Sequence, residues 1–213
     1  AASDVYKRQV IRIGKYISTE SYCFEKYVSV TGSACIEPKL LKTVSGASLT
    51  ELTAGNTNKE SRLISGSALY GTSGDSYTSY LTRYSDQVTI ISDERKANLF
   101  NWLKLGEKDH SATNVFLSSI TKPEKFDFDT NVNGGYRAIV PIGVFDEVNV
   151  FDIDPTLFLK SLAIGDLVAL RELGIFDLIP EDMSVFSYVC PSKYDYVALF
   201  KDCIDDIWKE ENS

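Results

Sequence analysis

Residues 27–52 read YVSVTGSACIEPKLLKTVSGASLTEL, and this run decides the fold of the first half of the chain. Tyr27 to Thr31 alternates, with Val28 and Val30 on one face, as a half-buried strand requires. Leu40 to Val44 reads as a second strand, stopped by Gly46. Ser48 then opens a short helix. Its hydroxyl can cap the N-terminus, and Glu51 three residues on completes a capping box. Gly55 ends that helix, and Arg62 to Ser65 and Gln87 to Ile91 supply two more strands. Strand, strand, short helix and further strands predict a β-grasp-like unit over residues 27–91. Upstream, Val10, Ile11 and Ile13 fit a short strand, within the end of a preceding domain over residues 10–26. Residues 1–9 (AASDVYKRQ) resemble translated adapter readthrough and are expected to be a non-native leader outside the fold.

Downstream, Ser92 can cap a helix with Asp93 and Glu94 in its first turn, where the helix dipole favours negative charge. Leu99, Trp102 and Leu103 follow at helical spacing, and Gly106 is its stop. Residues 107–135 are loop-rich, with a short strand at Val115 to Leu117. Residues 92–150 thus read as connecting helix, loops and strands. Asp154-Pro155, a cap followed by a first-turn proline, begins a helix carrying Leu157, Leu159 and Leu162. A second runs from Asp166 to Leu173 and ends at Gly174. A last amphipathic helix places Val197, Phe200, Cys203, Ile204, Ile207 and Trp208 on one apolar stripe, with Asp205, Asp206 and Lys209 outside it. The fold class is α+β: the β-grasp-like unit, then a C-terminal helical domain over residues 151–213.

The 213 residues are 44% hydrophobic and 24% charged, an ordinary globular balance with material for a real core. The net charge of -8 opposes binding to nucleic acid and to anionic membrane surfaces. No apolar run approaches the roughly 20 residues that a membrane-crossing helix needs. Cys23, Cys35, Cys190 and Cys203 form no C-x-x-C pair, and scattered thiols point to a reducing compartment.

Most chemical motifs fail on a specific residue. Gly66-Ser-Ala-Leu-Tyr-Gly71-Thr72-Ser73 resembles a phosphate loop, but Thr72 stands where the lysine is needed, so a turn is expected. Asp129-x-Asn131-x-Asn133-Gly134 matches the first half of an EF-hand loop. Its twelfth position is Val140 rather than a glutamate, and Arg137 to Ile142 reads as a strand fed by a glycine turn. His110, the single histidine, lies in a polar stretch without a nucleophile elbow and is expected to be a solvated surface residue. The carboxylate pairs Asp93/Glu94, Asp146/Glu147, Asp152/Asp154 and Asp205/Asp206 read as solvated faces or dipole partners. No catalytic, cofactor-binding or metal-binding residue is assigned. Cys190-Pro191 matches the end of the ferredoxin run C-x2-C-x2-C-x3-C-P. Pro180, Met183 and Phe186 fall at the other three ligand positions, and none can bind iron as a thiolate does. Cys190 is therefore read as a buried cysteine at the start of a helix, with Tyr188, Val189 and Pro191 core-like beside it.

Five stretches together resemble the A-subunit of the sodium-translocating NADH:quinone reductase. They are residues 44–55 (VSGASLTELTAG), 62–67 (RLISGS), 133–143 (NGGYRAIVPIG), 151–156 (FDIDPT) and 188–194 (YVCPSKY). The resemblance implies the C-terminal half of that protein, related to the C-subunit of the Rnf complex and to the NADH-binding subunit of respiratory complex I. It implies a β-grasp domain of the soluble-ligand-binding type. It further implies a peripheral place on the cytoplasmic face of the bacterial inner membrane, within a six-subunit pump. That pump couples NADH oxidation and reduction of ubiquinone or menaquinone to sodium export. NAD, flavins, iron–sulfur centres and quinone would be held by other subunits or by the other half of the same polypeptide, and none by this chain. Asn133, Gly134, Gly135, Arg137, Pro141 and Gly143 are the expected subunit-interface residues, with Cys190 and Pro191 a structural signature. The competing expectation is a free-standing β-grasp module that binds a small ligand, because fold does not fix function.

Overall fold

The computed structural model describes residues 2–57, 60–73, 79–93, 103–126 and 128–212. It divides into two compact units, Ala1–Glu94 and Arg95–Ser213.

The first unit is built on β1 (Glu25–Thr31), β2 (Lys39–Val44), β3 (Ser61–Ser65), β4 (Thr72–Ser73) and β5 (Gln87–Ser92), in the order β2-β1-β5-β3-β4. β1 runs antiparallel to β2, with Tyr27 opposite Lys42, and parallel to β5, with Val30 beside Val88. β5 pairs antiparallel with β3, and β3 with β4. The first and last strands lie together at the centre with a hairpin on each flank, which is the β-grasp arrangement. Alternation drives Val28, Val30, Val88 and Ile90 onto one face, where they pack with Ala34, Leu49 and Leu81. Leu49 opens the short helix α2 (Leu49–Leu52), whose first turn is capped by the Ser48 hydroxyl accepting from the Glu51 N–H. The phosphate-loop look-alike is the connection from β3 to β4. Gly71 donates its N–H to the Ser67 carbonyl at 2.9 Å. A side chain at Gly71 would stand 2.4 Å from the Ile64 methyl and 2.5 Å from the Ser67 carbonyl oxygen, so the turn needs glycine for close approach.

Two features of this unit depart from the sequence reading. Residues 10–13 are not a strand: they lie inside the helix α1, which spans Ala2–Thr19. Val10, Ile13 and Ile17 recur three and four residues apart, which is the helical period, and a window of four residues is too short to show it. Lys26 sits on the buried side of β1 and was unremarkable in sequence. Its ammonium donates to the carbonyls of Thr82 at 3.3 Å and Arg83 at 2.8 Å and pairs with Asp86 at 3.3 Å. A buried cation needs such partners, and they tie β1 to the loop that leads into β5.

The second unit carries α3 (Ser118–Thr121), α4 (Val144–Val148), α5 (Pro155–Ile164), α6 (Leu167–Glu172), α7 (Met183–Val189) and α8 (Tyr196–Glu211). Caps fix three of these. Asp154 accepts from the Leu157 N–H at 2.9 Å, Asp166 from Ala169 at 3.0 Å, and Asp195 from Val197 at 3.1 Å. α5 ends at Gly165 and α6 is followed by Gly174, both in the left-handed region (φ 70° and 86°). Phe145, Phe158, Leu162, Phe186, Phe200 and Ile207 form the centre of its core. Trp208 is not part of the α8 stripe: it is 66% exposed, while Tyr196, Phe200, Cys203 and Ile207 face inward. Spacing alone drew the stripe one residue too wide.

Val115 to Leu117 is not a strand. Leu117 donates its N–H to Leu105 and leads straight into α3. Arg137 to Ile142 also forms no ladder; extended sequence becomes a strand only with a partner, and none pairs with it among the described residues. The helix expected after Ser92 falls on residues 94–102, outside the described residues, and Ser92 itself closes β5.

Candidate interaction surface

The expected interface residues and the Cys190-Pro191 signature are far apart in sequence, and the second unit brings them side by side. α7 ends at Cys190, which is its C-cap, so this cysteine marks a helix exit rather than a helix start. The turn that follows presents Ser192, Lys193 and Tyr194 to residues 132–142. Ser192 is buried and donates its hydroxyl to the Ala138 carbonyl at 2.9 Å. The aliphatic part of Lys193 lies over Gly134, where an added side chain would meet its Cε at 3.1 Å. Tyr136 meets Tyr194 edge-on at 5.6 Å, and Tyr194 stacks on Tyr196 at 5.9 Å. Tyr196 is fully buried, touches Phe145, and accepts from the Cys190 thiol at 3.6 Å. A chain of aromatic contacts thus runs from the surface to the core.

Along this strip Ile139 packs inward against the core. Val132, Tyr136, Val140 and Ile142 remain exposed, Tyr136 at 77%. Arg137, Pro141 and Gly135 are exposed as well, and no side-chain contact is close to Gly135. Asn133 holds a left-handed backbone (φ 51°), so the turn expected at Gly134-Gly135 is made by the asparagine. Gly143, also left-handed at 81°, precedes α4 and accepts from the Asp146 N–H. The half-EF-hand stretch is an Asx turn: Asp129 accepts from the Asn131 backbone at 3.0 Å and from its amide at 2.8 Å.

Burial raises the Tyr196 phenol well above its ordinary value, with the Cys190 thiol adding to the shift. At any physiological pH it is a neutral hydrogen-bonding core residue. Met183 and Phe186, in two of the ferredoxin ligand positions, are fully buried core side chains. Their chemistry does not fit a cluster. Tyr188 departs from the expected core role. It is half-exposed and its phenol is hydrogen-bonded to His110 Nδ1, with the two rings stacked at 5.7 Å. His110 therefore is exposed but not simply solvated. No signal in the sequence connects two residues 78 positions apart.

The fold and surface define a class: a β-grasp unit followed by a small helical unit with an apolar strip at its surface. A family model described as the NQRA C-terminal domain matches residues 27–75, which run from within β1 to just past β4. The A-subunit of the Na(+)-translocating NADH-quinone reductase of Vibrio campbellii is 39% identical over 95% of this chain. Its counterpart from Neisseria meningitidis serogroup B is 38% identical, and that from Hahella chejuensis 36%, over the same share. Each match takes in 46% of the relative, so the chain spans about half the length of the curated relatives it matches. The chain is a homologue of the A-subunit of the Na(+)-translocating NADH-quinone reductase.

Proposed function

We propose that the chain serves as the C-terminal part of the A-subunit in a sodium-translocating NADH:quinone reductase. In this reading the complex oxidises NADH, reduces quinone and exports sodium, and this part is a peripheral piece on the cytoplasmic face. Its contribution is positional: it holds the quinone-linked half of the same polypeptide against the other subunits. The observation that carries the reading is the strip at residues 132–142. One edge is anchored to the core by Ile139 and by Ser192, and the other exposes four apolar side chains in an otherwise acidic unit. Exposed aromatic and aliphatic anchors beside an arginine are what a contact between subunits uses. No helix among the described residues is long and apolar enough to cross a membrane, which agrees with attachment through partners.

The test uses the full-length protein. Arg137→Ala and Tyr136→Ser should leave its thermal midpoint within about 2 °C, as surface changes do. They should sharply reduce recovery of the assembled complex. Normal assembly of both variants would remove the interface assignment. NADH:quinone turnover by the present chain alone, with a soluble quinone, would overturn the positional role.

A further inference from the structure

The loop between residues 103 and 126 builds a cleft that the proposed assembly role does not use. Its frame is fixed from within. Leu117 donates to the Leu105 carbonyl at 2.8 Å, the Ser118 hydroxyl bonds the Asp109 carbonyl, and Lys104 pairs with Asp109 at 3.0 Å. Gly106, left-handed at 63°, lets the Phe116 ring approach to 2.4 Å of where a side chain would begin. Across the cleft stands Phe126, edge-on to His110 at 5.2 Å. The space between is about 300 Å³ and is lined by His110, Asn114, Phe116, Lys122 and Phe126, with three serines and a proline.

The lining joins the Lys122 ammonium to serine hydroxyls, the Asn114 amide and the His110 ring. The Tyr188 phenol and His110 Nδ1 share a hydrogen bond, which leaves Nε2 as the ring nitrogen outside that bond. The Asn114 amide and the Lys122 ammonium supply donors. No carboxylate lines the cleft among the described residues, although the unit Arg95–Ser213 holds 20 acidic against 12 basic side chains. An acidic domain that keeps its carboxylates out of one aromatic-walled cleft, and places donors there, has a site suited to a flat acceptor.

We propose that this cleft binds a small planar aromatic carboxylate, its ring against Phe116 and Phe126 and its carboxylate taken by Lys122 and Asn114, with the His110 ring beside it. The site is independent of the assembly reading and stands or falls separately. Because His110 is the single histidine, its imidazole proton resonances report occupancy directly in the whole chain. Titration with 2-naphthoate should shift them saturably, and naphthalene-2-carboxamide should bind more weakly. Lys122→Met, at an exposed position, should weaken 2-naphthoate about fivefold, the most that one exposed charge pair commonly contributes, with the thermal midpoint unchanged. Phe126→Ala should abolish the shift. Unshifted His110 resonances at saturating 2-naphthoate would overturn the site. Equal binding of acid and amide, or full binding by Lys122→Met, would overturn the assignment of the carboxylate.

Discussion

Single residues show how environment decides between chemistry and packing. Four free cysteines have four different surroundings. Cys190 is buried with its thiol on Tyr196, and Cys203 is buried on the inner face of α8. Burial, and then the charges of Asp206 and Asp202, raise the Cys203 thiol, so little of the reactive thiolate exists at neutral pH. Cys23 and Cys35 are half-buried, and Cys23 lies 3.4 Å from the Lys15 ammonium. A native-state reaction with a maleimide, read by peptide mass, should therefore modify Cys23 first and leave Cys190 and Cys203 intact until unfolding. Rapid labelling of Cys190 would contradict its assignment as a packing residue. Cys190→Ala should cost about 1–2 kcal/mol, the range of a small truncation in a packed core. The Cys190-Pro191 pair was legible as a signature. The contact of the turn after it with residues 134–138 was not, because nothing local encodes that Ser192 reaches the Ala138 carbonyl.

At the scale of the element, legibility follows how local the cause is. α5 and α6 were readable because a cap at one end and a glycine after the other are written in adjacent residues, as at Asp154, Gly165, Asp166 and Gly174. β1 was readable because alternation in Tyr27 to Thr31 is a face of the sheet. The extended run at 137–142 has the same local character and forms no ladder, because pairing belongs to the partner and not to the segment. α1 was not legible because Val10, Ile11 and Ile13 cover too short a window to separate the helical period from alternation. Glycine roles differ in the same way and can be separated experimentally. Gly71→Ala places a methyl against backbone carbonyl oxygens of Ser67 and Ser65 at 2.5 and 2.9 Å, where little can yield. It should cost about 2 kcal/mol by overpacking. Gly135→Ala meets nothing within 4 Å and needs no left-handed backbone, so it should fall within about 0.5 kcal/mol of the parent. Chemical denaturation of the two variants measures the difference, and equal costs would show that the β3–β4 turn can relax.

On the scale of the whole chain, the two units differ in core and in charge. The first unit buries Val28, Val30, Ala34, Leu49, Leu81, Val88 and Ile90, with no aromatic ring among them. The second has a core of sixteen buried residues, five of them aromatic. Fully buried apolar side chains each contribute about 1.5–3 kcal/mol, so the second core supplies the larger stabilisation. Charge divides as sharply. Residues 1–94 hold ten acidic and ten basic side chains, and the whole net charge of -8 falls in residues 95–213. Calorimetry of the chain should accordingly show two transitions, the β-grasp unit melting first. Trp208 lies on α8 of the second unit, so the tryptophan fluorescence of a Trp102→Phe chain should follow the upper transition alone. Added salt screens like-charge repulsion and should raise the upper transition more than the lower. Lys26→Met supplies the decisive variant. It removes a buried cation from two carbonyls and Asp86, a loss of about 3 kcal/mol, which lowers the midpoint of a unit this size by about 12 °C or more. The lower transition should move and the fluorescence transition should stay. A single transition, or a fall in both midpoints together, would show that the two cores melt as one cooperative body.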